Sequence, residues 1–212
     1  VTFSNTIVYG SSRAFALYAE GGGIVEDVTV SNIVCDSRAP LIHNRPIHLS
    51  LLERRDKEGN IYASGVMQSD KVYDNEGRQP QLRNIIISNF VIRTGGRILI
   101  TGEPGRMIEN VTLRDIHMIY PWIEDPVIHI DRSLSSQFSP QNPDAKKARA
   151  AFVAENVYNL VLDNLNISWP RTEAVPEAWQ FPHRIANGTL DFFYPDYSKA
   201  RQTEFSAVWG RN

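Results

Sequence analysis

The sequence predicts an all-β chain wound as a solenoid, and three observations carry that prediction: a phrase repeated five times, a fixed set of apolar offsets within it, and two intervals between copies that agree at 27 and 26 residues. The phrase is Asp27-Val28-Thr29-Val30-Ser31-Asn32-Ile33, then Asn84-Ile85-Ile86-Ile87-Ser88-Asn89-Phe90, Asn110-Val111-Thr112-Leu113-Arg114-Asp115-Ile116 and Asn159-Leu160-Val161-Leu162-Asp163-Asn164-Leu165. The fifth copy, Val1-Thr2-Phe3-Ser4-Asn5, opens the chain. A repeat at this period is one structural unit stacked on itself, because a single unit cannot bury its apolar face alone.

Counting Val28 as position zero, apolar residues occupy positions zero, two, five and seven: Val28, Val30, Ile33 and Cys35, then Ile85, Ile87, Phe90 and Ile92. The later copies read Val111, Leu113, Ile116, Met118 and Leu160, Leu162, Leu165, Ile167. A strand alternates strictly, so the step from two to five requires a corner between two short strands. Asn or Asp at position four takes that corner, since these side chains tolerate left-handed dihedrals and bond their own backbone. The β-branched and Thr content favours strand over helix.

Val1 to Val28 spans 27 residues and Ile85 to Val111 spans 26, whereas the other two intervals are 57 and 49. The long intervals hold about one further coil plus an insertion, placed at about residues 53–81 and 132–148, where the composition turns polar. Insertions on solenoids usually lie beside the binding face. A second strand precedes each phrase: Phe15-Ala16-Leu17-Tyr18 before Gly21-Gly22-Gly23, and Arg97-Ile98-Leu99-Ile100-Thr101 before Gly102-Glu103-Pro104-Gly105. Tyr18 and Thr101 each lie ten residues before position zero, which makes them equivalent on stacked strands. Ile47-His48-Leu49-Ser50-Leu51 and Val127-Ile128-His129-Ile130-Asp131 are expected to supply the intervening rungs. Helix is expected only near 144–151. From Trp169 onward the pattern stops, and residues 169–212 are expected to form an irregular cap of the same domain. About five coils at the usual strand spacing give a stack roughly 25 Å long. Because Val1 already holds position zero, the first coil is expected to be uncapped, with further N-terminal coils or an oligomeric partner covering the open end.

Composition narrows the function classes. The 22 Lys and Arg are scattered among 24 acids, with a net charge of -2, so no basic field exists for nucleic acid. No apolar run reaches the ~18 residues of a membrane helix, and no signal peptide is legible. Cys35, the single cysteine, occupies an apolar slot and reads as a buried structural thiol. Zinc spacings, phosphate-cradling loops and nucleophile elbows are absent, so no metal or cofactor is expected. Asn166-Ile167-Ser168 and Asn187-Gly188-Thr189 match glycosylation acceptors, a short pattern that recurs by chance.

The stretch from Arg13 to Ile33, with Ala16-Leu17-Tyr18-Ala19-Glu20, the Gly-rich turn and Asp27-Val28-Thr29-Val30-Ser31-Asn32-Ile33, resembles the late coils of polygalacturonase-type glycoside hydrolases of family 28. The resemblance covers about residues 1–169. It implies a right-handed parallel β-helix, inverting hydrolysis of a pectin-type acidic polysaccharide, and secretion or a periplasmic location. It also implies three catalytic aspartates from Asn-Thr-Asp and Asp-Asp motifs followed by Gly-His-Gly. None of these motifs occurs here, and Ala16-Leu17-Tyr18 stands where the family has Arg-Ile-Lys. Three alternatives follow: acids upstream of Val1, a divergent member acting on another sugar, or an inactive one.

An inverting glycosidase needs two carboxyl groups ~6.5–9.5 Å apart on neighbouring rungs. The outward positions of the second strand carry Tyr18, His48, Arg97, Thr101, His129 and Asp131, of which one is an acid. Glu20 and Glu103 follow their strands at the Gly-rich turns and are weighed as acids at a cleft edge against solvated turn residues. His43, Arg45 and His48 form a cluster able to hold a sugar or a carboxylate, Arg through its bidentate fork, or else a plain surface loop. Tyr18 offers a ring to a sugar face or packs on its neighbours. Trp122 in Tyr120-Pro121-Trp122-Ile123-Glu124-Asp125-Pro126 offers a stacking ring with Glu124 or Asp125 as hydrogen-bond partners, or merely packs the flank. A non-catalytic carbohydrate-binding or structural module is the competing function, with a polysaccharide lyase third.

Overall fold

The computed structural model describes residues 1–20, 22–38, 44–52, 79–103, 105–121, 150–168, 181–186, 190–195 and 203–206. Twelve strands occur among them and no helix: β1 (Thr2–Tyr9), β2 (Phe15–Glu20), β3 (Ile24–Ser37), β4 (Ile47–Leu52), β5 (Gln81–Thr94), β6 (Ile98–Thr101), β7 (Ile108–Ile119), β8 (Ala150–Glu155), β9 (Val157–Ser168), β10 (Phe181–Ala186), β11 (Leu190–Pro195) and β12 (Thr203–Ser206). Odd-numbered strands build one six-stranded sheet in the order β1-β3-β5-β7-β9-β11, and even-numbered strands build a second, β12-β10-β8-β6-β4-β2. Every pairing between them is parallel.

The five copies of the phrase are β1, β3, β5, β7 and β9, and their registers align as the offsets require. Val28 lies beside Ile85, Ile85 beside Val111 and Val111 beside Leu160. Positions zero, two, five and seven face one apolar core shared with Ile47, Leu49 and Leu51 of β4 and Ile98 and Ile100 of β6. Neighbouring aliphatic groups therefore stack on themselves from rung to rung, each fully buried side chain contributing about 1.5–3 kcal/mol.

Position four is a left-handed corner in every copy: Asn5, Asn32, Asn89, Asp115 and Asn164 have φ between 53° and 59°. A second corner escaped the sequence pattern. Asp27, Asn84, Asn110 and Asn159, one residue before position zero, have φ of 54° to 56°. Each long strand is thus bent twice, and the register skips the corner residues, passing from Glu26–Arg83 to Val28–Ile85 and from Ser31–Ser88 to Ile33–Phe90. L-residues ordinarily lose about 1–2 kcal/mol in this conformation, and Asn and Asp lose least because their short polar side chains bond locally. Here those side chains also bond one another along the stack. The Nδ2 of Asn32 donates to Oδ1 of Asn5 at 3.0 Å and that of Asn89 to Asn32 at 3.1 Å. The second row runs Asn84 to Asp27, Asn110 to Asn84 and Asn159 to Asn110, at 2.9 to 3.0 Å.

Several expectations are corrected. The strand that follows β6 in its sheet is β8, Ala150–Glu155, with Ile98 beside Phe152, and the expected rung at 127–131 lies outside the described residues. Ala150 and Ala151, assigned to a possible helix, are strand residues. Residues 169–212 are not merely an irregular cap: β10, β11 and β12 extend both sheets, giving six strands in each rather than five coils. The Pro and aromatic content hid them, because Pro195 lies at the end of β11, where a missing N–H is tolerated. Nearly all residues of the two expected insertions lie outside the described set.

Asp115 interrupts the first row. It accepts from Asn164 Nδ2 at 2.7 Å, and as a carboxylate it carries no donor for Asn89. Asp115→Asn completes the row and should raise stability by about 0.5–1.5 kcal/mol in urea unfolding. Asn32→Ala should lower it by about 2–4 kcal/mol, since it removes two amide bonds and places a Cβ without local bonding at φ 57°.

Candidate functional site

The face of the second sheet turned away from the core collects the polar residues. Ile47, Leu49 and Leu51 face inward, so His48 and Ser50 alternate outward; Thr101 and Glu155 do the same on β6 and β8. Register places Tyr18, Ser50, Thr101 and Glu155 in one row across β2, β4, β6 and β8. Thus Tyr18 and Thr101 are equivalent positions two rungs apart. Ser50 lies between them, and its Oγ is 3.1 Å from Thr101 Oγ1. Beside that row, Ala16, His48, Leu99 and Val153 form a second, where Leu99 and Val153 make a small apolar cluster with Ala150.

Tyr18 and His48 form the best-defined polar pair. The Tyr18 hydroxyl lies 2.7 Å from His48 Nδ1, with the rings edge to face at 4.9 Å. The Arg13 guanidinium stands 6.0 Å from the Tyr18 ring centroid, a cation over an aromatic face. Arg13, Arg45 and Arg97 occupy the turns entering β2, β4 and β6, and these turns stack: Arg45 N–H donates to Ser12 O at 2.8 Å and Arg97 N–H to Asn44 O at 3.2 Å. Burial pulls Arg45 down to about 10, the Arg13 charge adds to that, and Tyr18 acts the other way. Arg45 still carries its charge at neutral pH, so a cationic turn adjoins the Tyr18–His48 pair.

Glycine makes this stacking possible at two points. A Cβ at Gly96 would lie 1.8 Å from Asn44 O, and one at Gly102 would lie 2.4 Å from Asn156 O. The strand between them, β6, is pinned at both ends: Gly96 N–H donates to Thr94 Oγ1 at 2.9 Å, Tyr120 donates its hydroxyl to Gly96 O at 2.5 Å, and Asn156 Nδ2 donates to Gly102 O at 3.2 Å.

Of the residues singled out from sequence, Tyr18, Arg45, His48 and Thr101 come together on this side of the second sheet, and Arg97 lies near Tyr120. They are not on an open surface, however. Arg45, His48 and Thr101 are 0% exposed and Arg97 1%, which corrects the expectation of an exposed strand face; Tyr18 alone is half-buried. Glu103 is buried within a tight turn closed by paired backbone bonds to Arg106, not solvated, and Glu20 is the last residue of β2 rather than a turn residue. His43, Trp122, Glu124, Asp125, His129 and Asp131 lie outside the described residues. Tyr120 packs in the core. Sequence reasoning passed over Arg13, Ser50 and the buried Glu155. Arg13 had a legible signal, standing two residues before Phe15 as Arg45 stands before Ile47, whereas Glu155 had none because it lies five residues before Leu160 and not the ten that place Tyr18 and Thr101. Among the described residues no group of three His, Cys, Asp or Glu is placed to hold a metal ion.

Comparisons with protein-family models, with curated proteins and with solved structures find no match for this chain. No helix among the described residues is long and apolar enough to cross a membrane.

Cys35 is buried at a core position, and burial pushes its thiol from 9.0 up to about 11. The protonated form is the one the fold favours. Its contribution to stability is therefore complete below pH 9 and is lost as pH rises toward 11. A thiol reagent at pH 8 should label Cys35 only after denaturation, and Cys35→Val should flatten the fall in stability between pH 9 and 11 measured by urea unfolding. Gly96→Ala should shift the same unfolding midpoint sharply downward, because backbone at Asn44 has to move.

Proposed function

We propose that this chain is part of a carbohydrate-active protein with a right-handed parallel β-helix, of the polygalacturonase-like glycoside hydrolase kind, acting on a pectin-type or related acidic polysaccharide outside the cytoplasm. The observation that supports it most is the row of polar and aromatic groups on the outer side of the second sheet: the Tyr18–His48 pair beside Arg13 and Arg45, continued by Ser50, Thr101 and Glu155. A β-helix is compatible with strands that alternate between two parallel sheets, those of the first being bent by left-handed Asn and Asp corners. Sugars are met by hydroxyl, amide and ring surfaces of this type, and a uronate carboxylate is met by guanidinium groups. Tyr18 is the member of the row with surface exposed to a ligand.

In this reading hydrolysis proceeds with inversion, one carboxylic acid protonating the leaving oxygen while a carboxylate activates water on the opposite face. Glu155 is the one carboxylate in the row of Tyr18, Ser50, Thr101 and Glu155, and this reading needs a second acid facing it. A row with one carboxylate also favours a second reading, a carbohydrate-binding β-helix module with no hydrolysis.

Calorimetric titration with oligogalacturonides, neutral oligosaccharides as controls, and an assay for new reducing ends test both. Binding of the acidic sugars should weaken about tenfold, ~1.4 kcal/mol, in Tyr18→Ala. Binding without reducing-end release in the intact chain favours the module; absence of binding to any oligosaccharide removes the carbohydrate reading altogether.

A further inference from the structure

The outer face of the first sheet carries a pattern of its own beyond the position-four corner. The strand alternates again there, so positions five and seven enter the core while positions six and eight point away from it. Val34 and Asp36 hold the outward places on β3, and Val91 and Arg93 hold them on β5, each beside its counterpart in register. Val34 and Val91 are 50% and 38% exposed, although the residues on either side of each are buried in the core. Position eight continues as Tyr9 on β1 and Ile119 on β7. Along the stack that row therefore reads Tyr9, Asp36, Arg93, Ile119, with opposite charges in the middle and large apolar groups at both ends. Asp36 accepts from Arg38 Nε at 2.9 Å, and the Arg38 and Arg93 charges hold its carboxyl below the usual range, so it faces outward as a carboxylate.

That order is its own complement. A two-fold axis lying along the strands, between β3 and β5, reverses the order of the rungs and keeps each residue's place along its strand. β3 then faces β5 of a second copy: Val34 meets Val91, Asp36 meets Arg93 and Tyr9 meets Ile119, each pair occurring twice. Other placements of the axis lose this match. Along β3 it sets Asp36 against Asp36, along β5 it sets Arg93 against Arg93, and across the strands it sets each valine against the charge two residues on. We propose that the outer face of β3 and β5 associates with a second copy of this chain through the first of these axes, the valines supplying apolar burial and the Asp36–Arg93 pairs fixing the register. Four rungs at the usual strand spacing make a patch roughly 20 Å across, smaller than a standard interface, so the dimer is weak and reversible. The inference does not rest on the carbohydrate reading.

Sedimentation velocity of the intact chain, from about 1 to about 500 µM, tests it. A reversible shift from monomer to dimer is expected across that range. Asp36→Arg and Arg93→Asp should each weaken association about tenfold, because like charges then meet twice. Mixed in equal amounts, the two variants should associate as tightly as the original chain: the introduced arginine faces the introduced aspartate, and the retained Arg93 faces the retained Asp36. Circular dichroism checks that each variant keeps its strands. Val91→Lys, at an exposed position, should weaken association likewise and replaces a charge variant that does not fold. A chain that stays monomeric throughout the range overturns the proposal. So does a dimer that neither charge variant weakens, or a mixture that associates no better than the variants alone.

Discussion

The rest of the structure depends on the left-handed corner held by an Asn or Asp side chain. At these positions the backbone turns without a loop, so strands of the first sheet continue through two bends while remaining hydrogen-bonded to their neighbours along the whole length. The conformational cost of each corner is offset by an amide bond to the corner above or below, which makes each corner a reason for the next to form in register. A one-residue slip would break both rows at once and turn the core-facing set outward.

Given that register, burial follows. Aliphatic residues at positions zero, two, five and seven stack in columns and meet the inward side chains of the second sheet in one core. Cys35 belongs to that column set, sitting beside Ile92 as Ile92 sits beside Met118, which is why its thiol is held protonated and serves packing. The second sheet is aligned where turns approach closely, at Gly96 against Asn44 and Gly102 against Asn156. The first of these approaches stacks the turn of Arg97 on that of Arg45, whose charge adjoins Tyr18 and Arg13.

Tyr18 and Thr101 show how far spacing reaches. Their equal distance from position zero predicts equivalent places on stacked strands, and the Tyr18–Ser50–Thr101 register agrees. Spacing does not mark Ala150–Glu155 as the strand beside β6, because Glu155 lies five residues before position zero of its copy, where Tyr18 and Thr101 lie ten before theirs. Nor could it mark the strands at 181–186, 190–195 and 203–206, where Pro and aromatic residues obscure the alternation.

From the sequence alone came the class of the fold, the identity of the five long repeats, the core-facing positions and one of the two corners. Each of these is a local or strictly periodic property, written wherever Asn, aliphatic and Thr residues recur at fixed offsets. What only the tertiary structure decided is depth and partnership: that His48, Arg45, Arg97 and Thr101 are buried, that the Tyr18 hydroxyl meets His48, and that Glu155 joins the same row. A residue that leaves the core face of a strand points outward, and whether outward means solvent depends on what packs on that side. That packing joins residues dozens of positions apart, and no spacing within a repeat records it.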